Sequence, residues 1–515
     1  MDAGDPDVEA RRVNPMKVMM LEFNEINWSV IDRLIEQRGR DFLPNFAALR
    51  ADGAWGYQTA EERPPELDPW VTWVTVLTGV PQQVHGARVL EQAADSIRVP
   101  RLWDHVAEAG RSVGVFGSIS AYPPRPVDGF VVPGPFAPGP ETWPASLAAI
   151  QQVNRQYTQI QNGVRRNAGP ADALALGAQL LRHGLRLRTA ATIAKQLVRE
   201  RVQPASRWRR PALQPLMNFD FFAHLYRKTR PDFATWHTNH AAHYMHRYWR
   251  AWDDREFGHK ADADERSKYG EAVPFGYRVC DHLIGRFRDL VGDGTLLLVV
   301  SSMGQKPFRS DRYAAGKIIV RVRDIDRLLA IVGRDGVVEA VPTMVPQWNL
   351  RLPDPAARAR VRRAFETARR EYPSGRADSA FHVQEVDEVL TVTPIGMSEA
   401  SAGVRYRLPD AVAADPAGYP IEALFAVDAP TVKQGMHDPQ GLVAMVGAGV
   451  RRGLQLPASS NLDIAPTVLS ALGIPVPSLM TGRVLAEAFG DASGPKDVAL
   501  SMDWRARSGA SQPAS

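Results

Sequence analysis

The chain contains 515 residues, 44% of them hydrophobic, so it can bury a sizeable core and is longer than one typical domain. Its 62 basic and 57 acidic residues nearly balance, and the net charge of +5 alone therefore indicates no nucleic-acid or other polyanionic partner. A single cysteine, Cys280, excludes an internal disulfide and a thiolate metal cluster, and no apolar run approaches the ~20 residues needed to span a bilayer.

Residues 1–14 are polar, and we predict that they form a disordered N-terminus. They include acidic residues where a secretory signal would be basic, so we expect a cytoplasmic protein. From 15 to 144, short apolar strands alternate with helical patterns, which is typical of βαβ units and a parallel sheet.

The first predicted strand begins at Lys17 and ends in the polar residues Asn24 and Glu25. Both are candidate substrate-binding residues, because a buried polar strand end at the ligand-binding edge of such a sheet must be satisfied by something. Alternatively, Asn24 is a strand-end cap that hydrogen-bonds a neighbouring loop. Glu22 points to the same face as Asn24, whereas Glu25 points to the opposite face unless the strand has already ended.

The pair Asp68-Pro69 predicts the start of a helix, because aspartate is a good N-cap and proline is favoured in the first turn. Asp68 is also a candidate catalytic residue, as nucleophile, general base or metal ligand. Thr72, about one turn into the helix, and the acidic Glu66 are alternatives. Trp73 is predicted to shape a substrate-binding rim on this helix. Both interpretations of Asp68 are compatible, since helix N-terminal amides can bind phosphate.

Residues 145–225 are predicted to form a mostly helical insertion with the one pronounced charge bias of the chain. Between 182 and 210, basic residues are opposed only by Glu200. One interpretation is an ordinary solvated helical face. The other is a basic lid that attracts an anionic substrate or an acidic membrane surface.

The core is predicted to resume over 226–317, where a strand-like run is followed by a cluster of histidines. If the cluster is helical, His243 and His246 lie close together on one face, with His240 nearby. A lone histidine is more often structural, but three at this spacing favour a site. Cys280, in an apolar helical pattern, is predicted to be structural.

A continuous apolar run over 295–300 indicates a buried parallel strand. Such a strand would deliver the loop that follows it to the edge of the site. Ser302 and Gln305 lie on this loop and are candidate substrate-binding residues.

Residues 318–425 are predicted to form an α+β insertion. It contains an amphipathic helical pattern over Ala356–Tyr372 and short strands around Val337–Val341 and Leu390–Val392. The core then returns over 426–490, and the tail, 491–515, is rich in Ser, Ala, Gly and Pro and is predicted to be disordered.

These segments resemble, in order, those of the alkaline phosphatase superfamily, and most of all its type I phosphodiesterase/nucleotide pyrophosphatase branch. The matching segments are Lys17–Glu25, Pro69–Gly79, Leu102–Val115, Gly435–Gly441 and Asp463–Leu485. The resemblance implies an α/β fold with an alkaline-phosphatase-like central, mostly parallel sheet flanked by helices, carrying the helical and the α+β insertions. It also implies a phosphate-ester enzyme in which two zinc-like ions activate a Thr or Ser nucleophile.

The chain departs from the family at the metal site. Ser302 and Met303 stand where the family has a metal-binding Asp and His, and Asn24 stands where it has Asp. Asn239 replaces another Asp, and His243 keeps the family's spacing from it, although alignment on Trp249 selects His246 instead. The late loop resembles the one that supplies a metal-binding His, here His437. The nucleophile position falls on Pro69 or, with a slip of one residue, on Asp68.

We therefore expect at most one divalent ion, zinc or manganese, or none, held by His243, His246 and His437. The predicted function is a phosphodiesterase- or nucleotide-pyrophosphatase-like hydrolase or group transferase, acting on a phosphate or related ester with a reduced or absent two-metal site. The alternative is a non-catalytic anion- or nucleotide-binding pseudoenzyme. In either case the expected partner is an anionic small molecule, and no nucleic acid is expected. The candidate substrate-binding residues are Asn24, Glu25, Trp73, Asn239, Ser302 and Gln305.

Overall fold

The computed structural model describes residues 16–89, 92, 96–161, 177–309, 318–343, 345–399, 402–427 and 433–490. The predicted disordered N-terminus, 1–14, and tail, 491–515, lie outside these ranges. None of the helices in the described ranges is long and apolar enough to cross a membrane.

The centre of the protein is a large, mostly parallel sheet, as the sequence predicts. The strands of this sheet are β1 (Lys17–Phe23), β2 (Ala54–Thr59), β3 (Val113–Phe116), β4 (Gly129–Val132), β5 (Phe233–Thr238), β6 (Thr295–Val300), β19 (Gln440–Val446), β20 (Leu454–Gln455) and β21 (Ser459–Ser460). A separate two-stranded sheet is formed by β7 (Gly304–Pro307) and β18 (Gly435–Asp438). The order across the sheet is β20-β2-β19-β6-β1-β5-β3-β4, with β21 also paired to β2. Only β19 runs antiparallel to its neighbours.

The three middle strands are apolar runs buried on both faces, as parallel strands covered by helices must be. Every residue of β5 and β6 is buried, and so is every residue of β1 after Lys17. Because β1 pairs in parallel with both neighbours, the carboxyl ends of all three meet at one edge of the sheet.

Helices cover both faces of the sheet. They are α1 (Trp28–Arg38), α2 (Pro44–Asp52), α3 (Pro69–Thr78), α4 (Gln82–His85), α5 (Leu102–Glu108), α6 (Ala148–Gln161), α7 (Leu187–Val202), α8 (Leu213–Thr229), α9 (His240–Trp252), α10 (Ala263–Tyr269), α11 (Ala272–Val291), α12 (Ile325–Val332), α13 (Pro355–Thr367), α14 (Ile421–Leu424) and α15 (Ile464–Ala471). One apolar cluster joins the sheet to α1, α2, α8, α9 and α11. A second joins its other face to α3, α5 and α15. Cys280 is buried in the first cluster, which agrees with a structural role.

The predicted helical insertion contains α6, α7 and α8 in its described parts, and residues 162–176 lie outside them. A 3-10 segment, Pro204–Ala212, joins α7 to α8. Its Trp208 packs edge-on against Tyr244 of α9 and Phe275 of α11, which fixes the insertion to the core.

The α+β insertion has an apolar cluster of its own. Its strands are β8 (Val320–Val322), β9 (Glu339–Pro342), β10 (Trp348–Arg351), β11 (Arg369–Glu371), β12 (Ala377–Ser379), β13 (Phe381–Val386), β14 (Val389–Pro394), β15 (Arg405–Arg407), β16 (Tyr419–Pro420) and β17 (Phe425–Val427). The two predicted strands correspond to β9 and β14.

The predicted helix Ala356–Tyr372 starts correctly but ends too late. The helix α13 stops at Thr367, and the next residues pair as β11 with β12 and β15. The fully buried Arg370 explains the difference, because it donates hydrogen bonds to the Asp378 carboxylate and to the carbonyl of Gly396. Asp378 lies on the paired strand β12 and Gly396 is 26 residues away, so these contacts across the sheet override the local helical pattern.

Candidate functional site

Most of the predicted site residues meet at the edge where β1, β5 and β6 end. The backbone N–H of Asn24 still donates to the carbonyl of Thr238 at 3.0 Å, and the chain turns directly afterwards. This edge is where open α/β sheets bind their ligands.

Three side chains from different elements converge there, and we call them the Glu–His–His cluster: Glu25 after β1, His246 on α9 and His437 on β18. The Nε2 atom of His246 lies 3.2 Å from Glu25 Oε2, and Nε2 of His437 lies 3.8 Å from the same oxygen. One donor atom from each of the three residues falls within 4.8 Å of the others. Glu25 is 3% exposed, whereas His246 and His437 are 26% and 22% exposed, so the cluster opens to solvent on the histidine side.

Both imidazoles of this cluster are held in one tautomer by the backbone. His246 Nδ1 lies 3.0 Å from the carbonyl oxygen of Gly435, and His437 Nδ1 lies 2.7 Å from that of Leu67. A carbonyl oxygen only accepts hydrogen bonds, so each Nδ1 carries the proton. In the neutral rings both Nε2 lone pairs then face the Glu25 carboxylate. A proton or a cation between them is needed to make that contact favourable.

The backbone turns Glu25 into this position. Its φ is +60°, an uncommon value for a residue other than glycine. Since β1 ends at Phe23, the strand alternation no longer applies, and Glu25 joins the histidines. Burial alone would raise its pKa. When the two imidazoles are protonated, however, their positive charges and the hydrogen bonds from His246 and Gln305 lower the pKa of Glu25 to about 2.

Asp68 and Lys433 complete the charged side of the site. Asp68 caps α3 as predicted, and its carboxylate accepts the N–H of Trp70 at 2.9 Å. Burial raises the pKa of Asp68, with His437 and Lys433 opposing the shift. Burial also lowers the pKa of Lys433 although Glu25 and Asp68 oppose it. Lys433 was not predicted from the sequence, because a lysine in a loop belongs to no periodic pattern. Its position two residues before Gly435 was the available signal.

Beneath this charged side lies a set of uncharged side chains that we call the neutral layer: Asn24, Thr72, Trp73 and Ser302. Asn24 accepts the indole N–H of Trp73 at 2.7 Å and donates to Glu25 Oε1 at 2.9 Å and to Asn239 Oδ1 at 2.7 Å. The Thr72 hydroxyl donates to Ser302 at 2.9 Å. All four side chains are buried, and the polar atoms of Asn24 and Thr72 bond neighbouring side chains rather than solvent.

Gln305 supports the same arrangement from β7, where it pairs in register with His437. Its amide donates to Glu25 at 2.5 Å and to the carbonyl of Ala242 at 3.2 Å. Gln305 is buried and therefore lies behind Glu25. Of the six predicted substrate-binding residues, Asn239 is the one that is half-buried rather than buried.

The amides at the start of α3 already have acceptors. Pro69 has no N–H, and the N–H groups of Val71 and Thr72 donate to the Asp68 carbonyl at 3.0 and 2.9 Å. With Trp70 bonded to the Asp68 carboxylate, the expected phosphate-binding turn has no free donor among these residues.

The remaining predicted residues lie apart from the cluster. Glu66 has an exposed side chain. His240 is buried, with Nε2 3.2 Å from the carbonyl of Gly276. His243 is not among the three clustered residues, and burial together with nearby positive charges lowers its pKa well below 6.5.

The late loop selects His246 over His243 because it docks one turn further along α9. The N–H of Gln434 donates to the carbonyl of His246 at 2.7 Å, and the N–H of Arg250 donates to the Gln434 side chain at 2.8 Å. Gly435 must be glycine here, since an added Cβ would lie 2.1 Å from Gln305 Oε1 and 2.8 Å from the carbonyl of Met245.

A scan against protein-family models finds no match for this chain, and a comparison with curated proteins finds none either. The resemblance to the alkaline phosphatase superfamily therefore stays a prediction from the sequence motifs.

Proposed function

We propose that this chain has an alkaline-phosphatase-like core and is a hydrolase or group transferase that acts on a phosphate or related ester with a single divalent ion. The observation that carries the proposal is the Glu–His–His cluster at the carboxyl edge of the parallel sheet. In this cluster two imidazoles donate hydrogen bonds from Nδ1–H to backbone carbonyls. Their Nε2 atoms both face one carboxylate.

The cluster fits zinc or manganese in the chemistry of its donors. Two imidazoles and one carboxylate with an open side are a common ligand set of catalytic zinc. Hydrogen bonds from the distal ring nitrogens to carbonyls are the usual support for such ligands. A bound divalent cation would supply Lewis-acid polarisation of an ester oxygen. The described residues offer one such set, because Asn24 and Ser302 are engaged within the neutral layer.

The neighbouring charges suit an anionic substrate. Lys433 supplies a half-buried positive charge beside the cluster. Asp68, whose pKa is raised by burial, is suited to take a proton from the attacking hydroxyl or to return one to the leaving oxygen. An ester with a negatively charged phosphoryl group would meet both residues at this edge.

A pseudoenzyme that only binds anions is the second candidate, and one observation favours it. The family's nucleophile position falls at Asp68-Pro69, where the helix amides are already bonded, and Thr72 is buried against Ser302. Such a protein would keep the charged pocket and lack turnover.

Dialysed protein titrated with Zn²⁺ or Mn²⁺ in a calorimeter, and then assayed with nitrophenyl phosphate mono- and diesters, tests the proposal. We expect one ion per chain and turnover that a chelator removes. His437→Ala should abolish both, whereas His382→Ala, at an exposed position on β13, is the matched control and should change neither. Two ions per chain would contradict the single-ion site. Metal binding without any turnover, together with a melting temperature raised by phosphate, would favour the pseudoenzyme.

A further inference from the structure

The helix α7 presents apolar side chains to solvent. Its inward side is marked by Thr189 and Gln196, which are buried, and by the partly buried Ile193. Leu187, Val198 and Val202 are on the other side and are 75%, 62% and 76% exposed. With two exposed alanines they form one line at helical spacing, which we call the apolar stripe: Leu187, Ala191, Ala194, Val198 and Val202.

The stripe is held rigidly on the protein. The backbone N–H of Arg186, just before α7, donates to the buried Asp220 carboxylate at 3.1 Å, and Asp220 also pairs with Arg286. Gln196 donates to the carbonyl of Ser206 at 3.0 Å, in the 3-10 segment that packs on α9 and α11. The apolar side chains therefore stay on the surface because the opposite side of the helix is the one that is docked.

Positive charge surrounds the stripe. Residues 182–210, the basic segment, contain nine lysines and arginines and one glutamate, a net charge of +8 against +5 for the whole chain. The rest of the protein is therefore net negative. Among the described residues, Arg186 and Arg210 are the members of this segment that form ion pairs. One side of the stripe on the helix surface is flanked by the exposed Arg188, Lys195 and Arg199. Their charges form no ion pair within the described part of the chain and can therefore contact a partner.

A cavity lies beside the carboxyl end of the stripe. It has a volume of about 410 Å³ and is lined by Leu197, Glu200, Arg201, Pro204, Arg207 and Arg210. Arg210 is paired with Glu200, while Arg201 and Arg207 have no ion-pair partner among the described residues. Two such guanidinium groups next to an apolar surface suit a phosphate group carried by an apolar molecule.

We propose that the apolar stripe and the basic segment dock this protein on the surface of an anionic phospholipid bilayer. Aliphatic side chains entering the headgroup boundary, with basic residues on the flanks, are the defining pattern of an interfacial helix. A second copy of the chain fits the face poorly, because two segments of net charge +8 would repel each other. A nucleic acid would use the charges but leave the aliphatic stripe exposed to water. This docking goes beyond the proposed catalytic function and is independent of it.

Co-sedimentation of the full chain with vesicles tests the proposal. The protein should pellet with phosphatidylcholine vesicles that contain phosphatidylglycerol and not with phosphatidylcholine alone, and added salt should weaken the binding. Replacing Leu187, Val198 and Val202 together by Ser should weaken it by about tenfold or more, since the three large aliphatic side chains of the stripe then no longer enter the boundary. The matched control replaces Val338 and Val412, which are 57% and 81% exposed in the other insertion, and should bind like the unmodified protein.

A charge variant tests the flanks. Changing Arg188, Lys195 and Arg199 together to Gln should weaken binding by about fivefold per side chain, or about a hundredfold in all. Changing the exposed Arg40, Arg125 and Arg360 to Gln is the control and should have little effect.

Three results would overturn the proposal. The first is that the protein does not pellet with anionic vesicles at low salt. The second is that the variants and their controls lose vesicle binding equally. The third is that light scattering shows a dimer of the unmodified protein and a monomer of the Ser variant. The last result would assign the face to a second copy. Unchanged melting temperatures in all variants would show that any loss is not a loss of folding.

Discussion

Two groups of polar side chains share the edge of the central sheet and use their hydrogen-bonding capacity in opposite ways. In the neutral layer, Asn24 and Thr72 give their donors to neighbouring side chains, and the layer is buried. In the Glu–His–His cluster, backbone carbonyls accept hydrogen bonds from both Nδ1–H groups. Both Nε2 atoms therefore face one carboxylate and solvent. The Asn24 and Thr72 donors of the first arrangement have acceptors on neighbouring side chains, whereas the second arrangement requires a proton or a cation.

The difference shows that polar side chains at one sheet edge can either satisfy one another or remain open to a ligand. Burying an uncharged polar side chain costs little free energy when the side chain forms a hydrogen bond, and the bond then contributes to stability. In the charged cluster, the part-exposed imidazoles of His246 and His437 remain available to a ligand. Asn24 of the neutral layer is an uncharged amide, whereas Glu25, the next residue, is the carboxylate of the Glu–His–His cluster.

The most severe way to break the contrast is Asn24→Asp. The new carboxylate would face Glu25 Oε1 and Asn239 Oδ1, where Asn24 now donates hydrogen bonds, and it would be buried. We expect a loss of about 4 kcal/mol of unfolding free energy in urea, the usual cost of an uncompensated buried charge. Asn239→Asp is the matched control, since Asn239 already acts as the acceptor and is half-buried.

Added zinc extends this experiment. If zinc restores the stability of Asn24→Asp beyond its effect on the unmodified protein, the substitution has created a second ion site in the neutral layer. If Asn24→Asp is as stable as the unmodified protein without metal, the layer is not the closed hydrogen-bonded unit described above.

The Glu–His–His cluster should make the stability of the protein depend on pH. The pKa of Glu25 is lowered from 4.5 to about 2, so its contribution to stability is present above pH 4.5 and is lost as the pH falls toward 2. The shift corresponds to about 3 kcal/mol. In Glu25→Gln, urea unfolding followed over this range should depend less on pH by that amount. Glu36→Gln, at an exposed glutamate on α1, is the control, and an equally flattened curve for it would contradict this assignment.

Asp68→Asn, at the start of α3, tests whether Asp68 is needed for turnover without disturbing the helix cap. Asparagine can still accept the N–H of Trp70 and cap the helix. Since burial raises the pKa of Asp68, the ionised carboxyl is less favourable in the folded chain, and the variant should be as stable as the unmodified protein or more stable at neutral pH. Turnover should fall by about a hundredfold or more if Asp68 moves the proton. Equal turnover in both proteins would remove Asp68 from the reaction.

Much of the fold follows from sequence patterns because those patterns are local. The buried run of β6, the proline after Asp68 and the histidine spacing of α9 each predict an element that is present. The site was only partly predictable, because its geometry depends on contacts distant in sequence. The docking of Gln434 at His246 selects between two histidines, and the positive φ of Glu25 turns a residue that strand alternation would direct elsewhere. The end of α13 was missed for the same reason, since Arg370 finds its partners across a sheet.

The smallest expected effect concerns Thr72, a candidate nucleophile from the sequence that lies in the neutral layer. Thr72→Val keeps the shape and removes the hydroxyl that donates to Ser302 at 2.9 Å. We expect a loss of about 1 kcal/mol of unfolding free energy, because one buried hydrogen bond is lost. Metal affinity and turnover should stay unchanged, since Thr72 is fully buried and its hydroxyl donates to Ser302 rather than to the Glu–His–His cluster. Thr78→Val is the control for the stability change, because its buried hydroxyl donates to the Val74 carbonyl of its own helix. A hundredfold fall in turnover for Thr72→Val alone would place the hydroxyl in the reaction and show that the two groups at this edge act together.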